Sequence, residues 1–286
     1  MKGTTAALTV LALIAFASNS LLTRLALGSG RIDAATFTAV RLGSGAIVLA
    51  LIARSQAGSW MPLRGREPTG PLALFAYAAP FSFAYLRIGA AVGALVLFGV
   101  VQLTMIGYGI ACGDRPPAFA WLGVVMATAG LAILAAPSAA RPDPLGVLLM
   151  AIAGVAWGVY SLAGRTVRDP IAANARSFLW STPVALVLLF ILRDTVAVTG
   201  RGIFLAMISG AVTSGLGYAI WYRALPRLSV TQAAVAQLSV PIIAALGATA
   251  LLGERLSGRL AISAVAVLSG IGLVVSARAK DPGGVR

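Results

Sequence analysis

The chain is written twice. Ala15-Phe16-Ala17-Ser18-Asn19-Ser20-Leu21-Leu22-Thr23-Arg24 returns as Ala156-Trp157-Gly158-Val159-Tyr160-Ser161-Leu162-Ala163-Gly164-Arg165, 141 residues later. Tyr77-Ala78 returns as Tyr218-Ala219 and Phe81 as Tyr222 at the same spacing. After one lost residue, Gly113-Asp114-Arg115 returns as Gly253-Glu254-Arg255, and Ala129-Gly130-Leu131 as Ser269-Gly270-Ile271. Such a duplication restricts the fold to two copies of one unit packed on each other. The copies are apolar: 59% of the 286 residues are hydrophobic and 10% charged, whereas a soluble domain carries roughly 25% charge. Only lipid can solvate most of this surface.

Apolar runs near the length needed to cross a bilayer fall at about 4–27, 34–53, 70–86, 88–112, 117–137, 145–163, 172–192, 202–222, 229–251 and 259–277. The expected fold is an all-α integral membrane protein of ten transmembrane helices. The longest connection, Arg54 to Thr69, has the Gly, Pro and charge content of a surface loop. Five spans per copy is an odd number, so the second copy enters the membrane from the opposite side. The expected domains are therefore residues 1–140 and an inverted repeat, 141–286. Lys2, Arg54, Arg64, Arg66 and nine other basic residues, 13 in all, fall on the side of the N-terminus, against 8 on the other side. This bias places both termini in the cytoplasm. Lys2, the following apolar stretch and Ala15-Phe16-Ala17 read alternatively as a secretory signal with its cleavage site. That segment recurs at Ala156–Arg165, where no signal belongs, so the first span is expected to be retained.

Composition excludes several function classes. The excess of 22 basic over 8 acidic residues is scattered singly between apolar runs, unlike the stripe of a nucleic-acid interface. With no His and a single Cys112, there is no His- or Cys-based metal site, and no cofactor is expected. A hydrolase or transferase needs an activated nucleophile or general base, and the only lysines, Lys2 and Lys280, are terminal. An enzyme is not expected.

The chain resembles the EamA-type members of the drug/metabolite transporter superfamily. The resemblance rests on Gly113-Asp114-Arg115 and Gly253-Glu254-Arg255, on the small-Gly pairs Ala129-Gly130 and Ser269-Gly270, and on Arg41 and Pro241. Within that family it looks most like the bacterial aromatic amino acid exporter branch, the YddG type. The resemblance implies a multi-pass protein of the bacterial inner membrane that moves small metabolites by alternating access. Both halves are present in one chain, so a monomer suffices.

All eight acids, Asp33, Glu67, Asp114, Asp143, Asp169, Asp194, Glu254 and Asp281, lie in or beside loops. Carriers coupled to protons or cations usually keep an ionisable group within the bilayer. Here the candidate is Arg41, about 10 Å into the second span, and a guanidinium does not give up its proton. A facilitator of zwitterions is therefore favoured over a drug exporter coupled to an ion gradient, or over a non-transporting scaffold. Uncharged amides, hydroxyls and rings can replace water around a zwitterion. Matched positions offer Phe16 and Asn19 with Trp157 and Tyr160, Tyr77 with Tyr218, and Phe81 with Tyr222; Gln102 and Gln237 add amides. These are expected to line a central cavity, with Arg41 snorkelling, bonding helix carbonyls or holding a substrate carboxylate. The competing reading puts aromatic side chains in interfacial belts, and Trp221 with Tyr222 near their span's end are expected there. Pro80, Pro183 and Pro241 are candidate hinges, and Gly89-xxx-Gly93 reads as a close helix approach.

Overall fold

The computed structural model describes residues 3–58, 67–111, 118–135, 142–164, 167–192, 197–228, 236–237 and 239–279. Ten helices cover them: α1 (Gly3–Leu27), α2 (Ala34–Ala57), α3 (Thr69–Tyr85), α4 (Ala90–Ala111), α5 (Ala118–Ala135), α6 (Pro144–Gly164), α7 (Pro170–Ile191), α8 (Gly200–Arg227), α9 (Ser239–Leu252) and α10 (Gly258–Ala279). Six of these, α1, α2, α4, α6, α7 and α8, are long and apolar enough to cross a membrane. Each expected span falls on a helix, with shifted ends. α2 continues past Arg54 to Ala57, α4 starts at Ala90, and α8 is longer at both ends than its apolar run. The first half of the ninth span and the motif Gly113-Asp114-Arg115 lie outside the described residues.

The side chains are sorted as lipid requires. Val10, Leu11, Ile47, Leu51, Phe190, Phe204 and Val265 are exposed, whereas Asn19, Thr38, Arg41, Ser82, Asn174 and Ser181 are buried. This reverses the pattern of a soluble protein and follows from hydrocarbon outside and helix–helix hydrogen bonding inside.

The acids beside loops have local work to do at helix N-termini, where amides lack intrahelical partners. Asp33 Oδ1 accepts from Thr36 N at 2.8 Å, Asp143 Oδ1 from Gly146 N at 2.7 Å, and Asp169 Oδ1 from Ala172 N at 3.0 Å. Glu254 caps a helix remote in sequence: its carboxylate accepts from Ala90 N at 2.9 Å and Ala91 N at 3.4 Å, at the start of α4. Gly253, with φ of 67°, ends α9 in the left-handed region and turns Glu254 toward α4. The Gly-acid step of the sequence is thus a helix stop followed by a cap. Gly89 leaves room for that carboxylate, and Gly93 for the ring of Tyr85. The Gly89-xxx-Gly93 spacing therefore receives side chains, correcting the expectation of two helix backbones in contact.

Helix neighbours are well defined. α2 packs on α7, α4 on α9 and α5 on α10; α3 lies against α6 and α1 against α8; α4 also touches α6, and α1 touches α9. α2 and α8 approach closely at Gly210, where a Cβ would collide with the Arg41 carbonyl oxygen. There α8 widens into a π-helical segment, Ser209–Leu216, which buries Ser209, Thr213 and Ser214. Such widenings recur at functional sites.

Candidate functional site

Six of the ten expected cavity residues meet at the centre of the bundle. Phe16, Asn19, Tyr77, Phe81, Trp157 and Tyr218, with Ser20, Leu97 and Phe98, line a small cavity of about 10 Å³. Trp157 is the hub of the aromatic part. Its ring centroid is 4.6 Å from Tyr218, 5.0 Å from Tyr77 and 5.5 Å from both Phe16 and Tyr160. The tilted and edge-on contacts have the geometries that ring quadrupoles favour.

A polar network runs behind this wall. Asn19 Oδ1 accepts from Ser209 Oγ at 2.7 Å, Thr213 Oγ1 at 3.2 Å and Ser214 Oγ at 3.4 Å, all on the π-helical turn of α8. Asn19 Nδ2 donates to Tyr77 Oη at 3.3 Å, and the Tyr77 and Tyr218 hydroxyls bond each other at 3.2 Å. Arg41 closes the circuit. Its Nε donates to Ser214 Oγ at 2.9 Å, and its Nη2 to Tyr218 Oη at 2.8 Å and Tyr77 Oη at 3.2 Å. The guanidinium also lies over the rings of Phe81, 4.9 Å from the centroid, and Tyr77, 5.2 Å away.

Arg41 does not snorkel, and it bonds hydroxyls of Tyr77, Tyr218 and Ser214 rather than helix carbonyls; both structural expectations are corrected. The residue is 0% exposed, because Tyr77, Tyr218 and Ser214 draw it inward across α2, α3 and α8. Among the described residues its Nη1 has no hydrogen-bond partner. Ion pairs there include Arg24–Glu254 and Arg87–Asp143, each at 3.4 Å, and no described carboxylate is paired with Arg41.

The two ends of the bundle differ. At one end Arg24 Nη1 donates to the Tyr85 carbonyl at 2.8 Å while Arg24 Nε pairs with Glu254. On the same face the Ala197 amide donates to Asp33 Oδ2 at 3.2 Å and Thr199 Oγ1 to the Arg31 carbonyl at 2.8 Å. Helices of the first half are thus bonded to segments of the second. The other end opens into a vestibule of about 510 Å³, lined by Glu67, Thr69, Gly164, Arg168, Asp169, Arg176 and Tyr222, among others.

Trp221 and Tyr222, expected in an interfacial belt, are 0% and 3% exposed. They turn inward because Gly164 leaves space for the Tyr222 ring and because Tyr222 Oη donates to the Tyr160 carbonyl at 2.9 Å. The stack Tyr222–Tyr160–Trp157 separates the vestibule from the central cavity. Tyr160 is fixed within it by its hydroxyl, which donates to Asn174 Oδ1 at 2.8 Å. Tyr222→Phe removes one interhelical hydrogen bond, worth about 0.6 kcal/mol in a membrane. The expected result is a small fall in the unfolding temperature of the purified protein, read by thermal melting.

Gln102 and Gln237 are both buried but do not line the central cavity. Pro80 and Pro183 lie inside α3 and α7, and Pro241 is in the first turn of α9 as described. The hydroxyls of Ser209, Thr213 and Ser214 and the amide of Asn174 were not expected at the site. The signal available for the first three was a run of small hydroxyl and glycine residues within an apolar span.

Comparisons with known proteins agree with this architecture. The EamA-like transporter family profile matches residues 144–276. An uncharacterized protein of Pseudomonas aeruginosa, PA1977, is 47% identical over 271 residues, covering 95% of this chain and 94% of its own length. An uncharacterized transporter of Archaeoglobus fulgidus is 27% identical over 55% of this chain and 57% of its own. YwfM, an uncharacterized transporter of Bacillus subtilis, is 28% identical over 57% of this chain and 56% of its own. A crystal structure with a TM-score of 0.70 covers 97% of this chain and all of the other at 19% identity, a likeness of fold. The chain is a multi-pass membrane protein that carries an EamA-like transporter family domain over residues 144–276.

Proposed function

We propose that this protein exports amino acids, aromatic ones among them, or similar small metabolites by alternating access, as a facilitator in the bacterial inner membrane. The observation that carries the reading is the one-sidedness of the bundle. A small, aromatic and hydrogen-bonding centre lies between a bonded end and a vestibule of about 510 Å³. A carrier whose site is shut off by a thin aromatic stack from a vestibule on one side has this shape. With both termini cytoplasmic, the vestibule faces the cytoplasm and the Arg24–Glu254 end faces outward, the direction an exporter loads from.

Helix contacts support the inverted repeat over 1–140 and 141–286. Advancing each helix by five exchanges α3–α6 with α8–α1, and α4–α6 with α9–α1, and returns α2–α7, α4–α9 and α5–α10 to themselves. A bundle so related can adopt the mirror state, sealed at the vestibule and open at the other end, by swapping the conformations of its halves. Phe16, Asn19, Tyr77, Phe81, Trp157 and Tyr218 are the proposed contacts of the substrate ring. Pro80, Pro183 and Pro241 are the proposed hinges.

The test is flux through proteoliposomes containing the purified chain alone, screened across aromatic, aliphatic and charged amino acids, with and without an imposed pH gradient. Saturable flux of an aromatic amino acid, insensitive to the gradient, is the expected result. Flux no faster than in empty vesicles, with the protein folded, overturns the reading for that class.

A further inference from the structure

We infer that the site selects a substrate by its carboxylate and carries it as a net monoanion, so that the membrane potential drives export. This rests on the transport reading above and narrows its substrates from amino acids in general to the carboxylate monoanions among similar small metabolites. The central cluster is rich in donors and poor in acceptors. Arg41 Nη1 has no partner among the described residues. The Tyr77 oxygen receives Asn19 Nδ2, Arg41 Nη2 and the Tyr218 hydroxyl, leaving the hydrogen of Tyr77 without an acceptor among the described residues. Asn19 Oδ1, an acceptor within reach, is taken by the hydroxyls of α8. A fully buried guanidinium without a counter-ion is costly, and the missing partner has a definite chemistry: a planar anion that accepts from a guanidinium and from one tyrosine hydroxyl. A carboxylate meets it. An ammonium does not, because no carboxylate on the described helices stands at the centre to receive one. The aromatic wall adds a face for an unsaturated or aromatic body. Loaded, the centre is neutral; empty, it carries the charge of Arg41. The full cycle moves one negative charge per substrate, and a cytoplasm-negative potential pushes that charge outward.

Three probes of one shape separate the possibilities: 3-phenylpropanoate, a monoanion; phenylalanine, a zwitterion; and phenethylamine, a cation. Each is measured in proteoliposomes under a potassium diffusion potential set with valinomycin, with empty vesicles subtracted. At a potential of about 100 mV, a carried monoanion reaches a roughly 50-fold higher concentration on the positive side at steady state, whatever the orientation of the protein. A zwitterion equalises. The inference expects 3-phenylpropanoate to accumulate in this way and to be preferred over phenylalanine and phenethylamine. Flux of phenylalanine or phenethylamine in preference to the monoanion overturns it while leaving transport standing. If none of the three moves, it is the transport reading that falls for aromatic substrates. Asn19→Asp provides a second arm, since a carboxylate there accepts from the Tyr77 hydroxyl and supplies the absent counter-charge. Folded Asn19→Asp is expected to lose the preference for the monoanion at least tenfold, and an undiminished preference counts against the inference.

Discussion

Asn19→Leu is expected to reduce substrate flux at least tenfold while the protein still inserts and elutes as a single species. Leu keeps the branched shape and heavy-atom count of Asn, so the change mainly tests the amide. Asn19 is where α1, α3 and α8 are hydrogen-bonded together: one side-chain oxygen receives three hydroxyls from the π-helical turn, and the nitrogen reaches Tyr77. Removing it leaves those hydroxyls turning back on their own helix carbonyls, as Thr213 already does at 2.9 Å, and that limits the loss of stability. Interhelical hydrogen bonds in membranes average about 0.6 kcal/mol and reach about 1.7, so a hub of this kind is expected to cost about 2 kcal/mol. The effect on transport is larger than this because Tyr77 and, through Ser214, Arg41 lose their fixed positions against the cavity. Thermal unfolding and flux measured on the same preparation distinguish the two. Flux at the wild-type level in Asn19→Leu would remove Asn19 from the site.

The spans, their number and most of the cavity were legible because each is set by a strong local signal. Apolar runs long enough to cross a bilayer have few alternatives to a helix, and duplication singled out Phe16, Asn19, Tyr77, Trp157 and Tyr218 by marking them at matched depths. What was hidden depends on register between distant helices. Trp221 and Tyr222 sit near a span's end, where aromatic residues usually meet the interface. Only the gap at Gly164, on another helix, turns Tyr222 inward. The π-helical turn of α8 shows in the sequence only as a run of small hydroxyl and glycine residues, and what makes it a site is the close approach of Gly210 to α2. Depth along α2 alone left Arg41 several roles. Its bonds to Tyr77 on α3 and Ser214 on α8 decide among them, and neither partner is near it in sequence. The acids illustrate the same division: their place beside loops was readable, but Glu254 capping α4 from the far side of the chain was not.

Glu254→Ala is expected to open the bonded end. The carboxylate holds together three elements that an outward-open state must part: Arg24 at the end of α1, the first amides of α4, and its own turn after α9. Exposed ion pairs contribute little, but this one is partly buried and its acid also takes two amide hydrogen bonds, a kind of bond worth about 1.5–3 kcal/mol to a charged group. Losing about 2 kcal/mol from one state of a two-state carrier moves the population roughly 30-fold toward the other. Ser20 reports the change, being buried in the wall of the central cavity. In a Cys112→Ser background, Ser20→Cys is expected to react with an impermeant maleimide added at the Glu254 end at least tenfold faster when Glu254→Ala is present. Arg24→Ala breaks the ion pair and the bond to the Tyr85 carbonyl but leaves the cap on α4, so its increase is expected to be smaller. Were Glu254 only a helix cap, Glu254→Ala would lower the unfolding temperature and Arg24→Ala would not, with labelling of Ser20→Cys unchanged in both. Unchanged labelling in the folded protein would therefore separate the Glu254 end from the transport cycle, and a graded rise across the two variants ties it to that cycle.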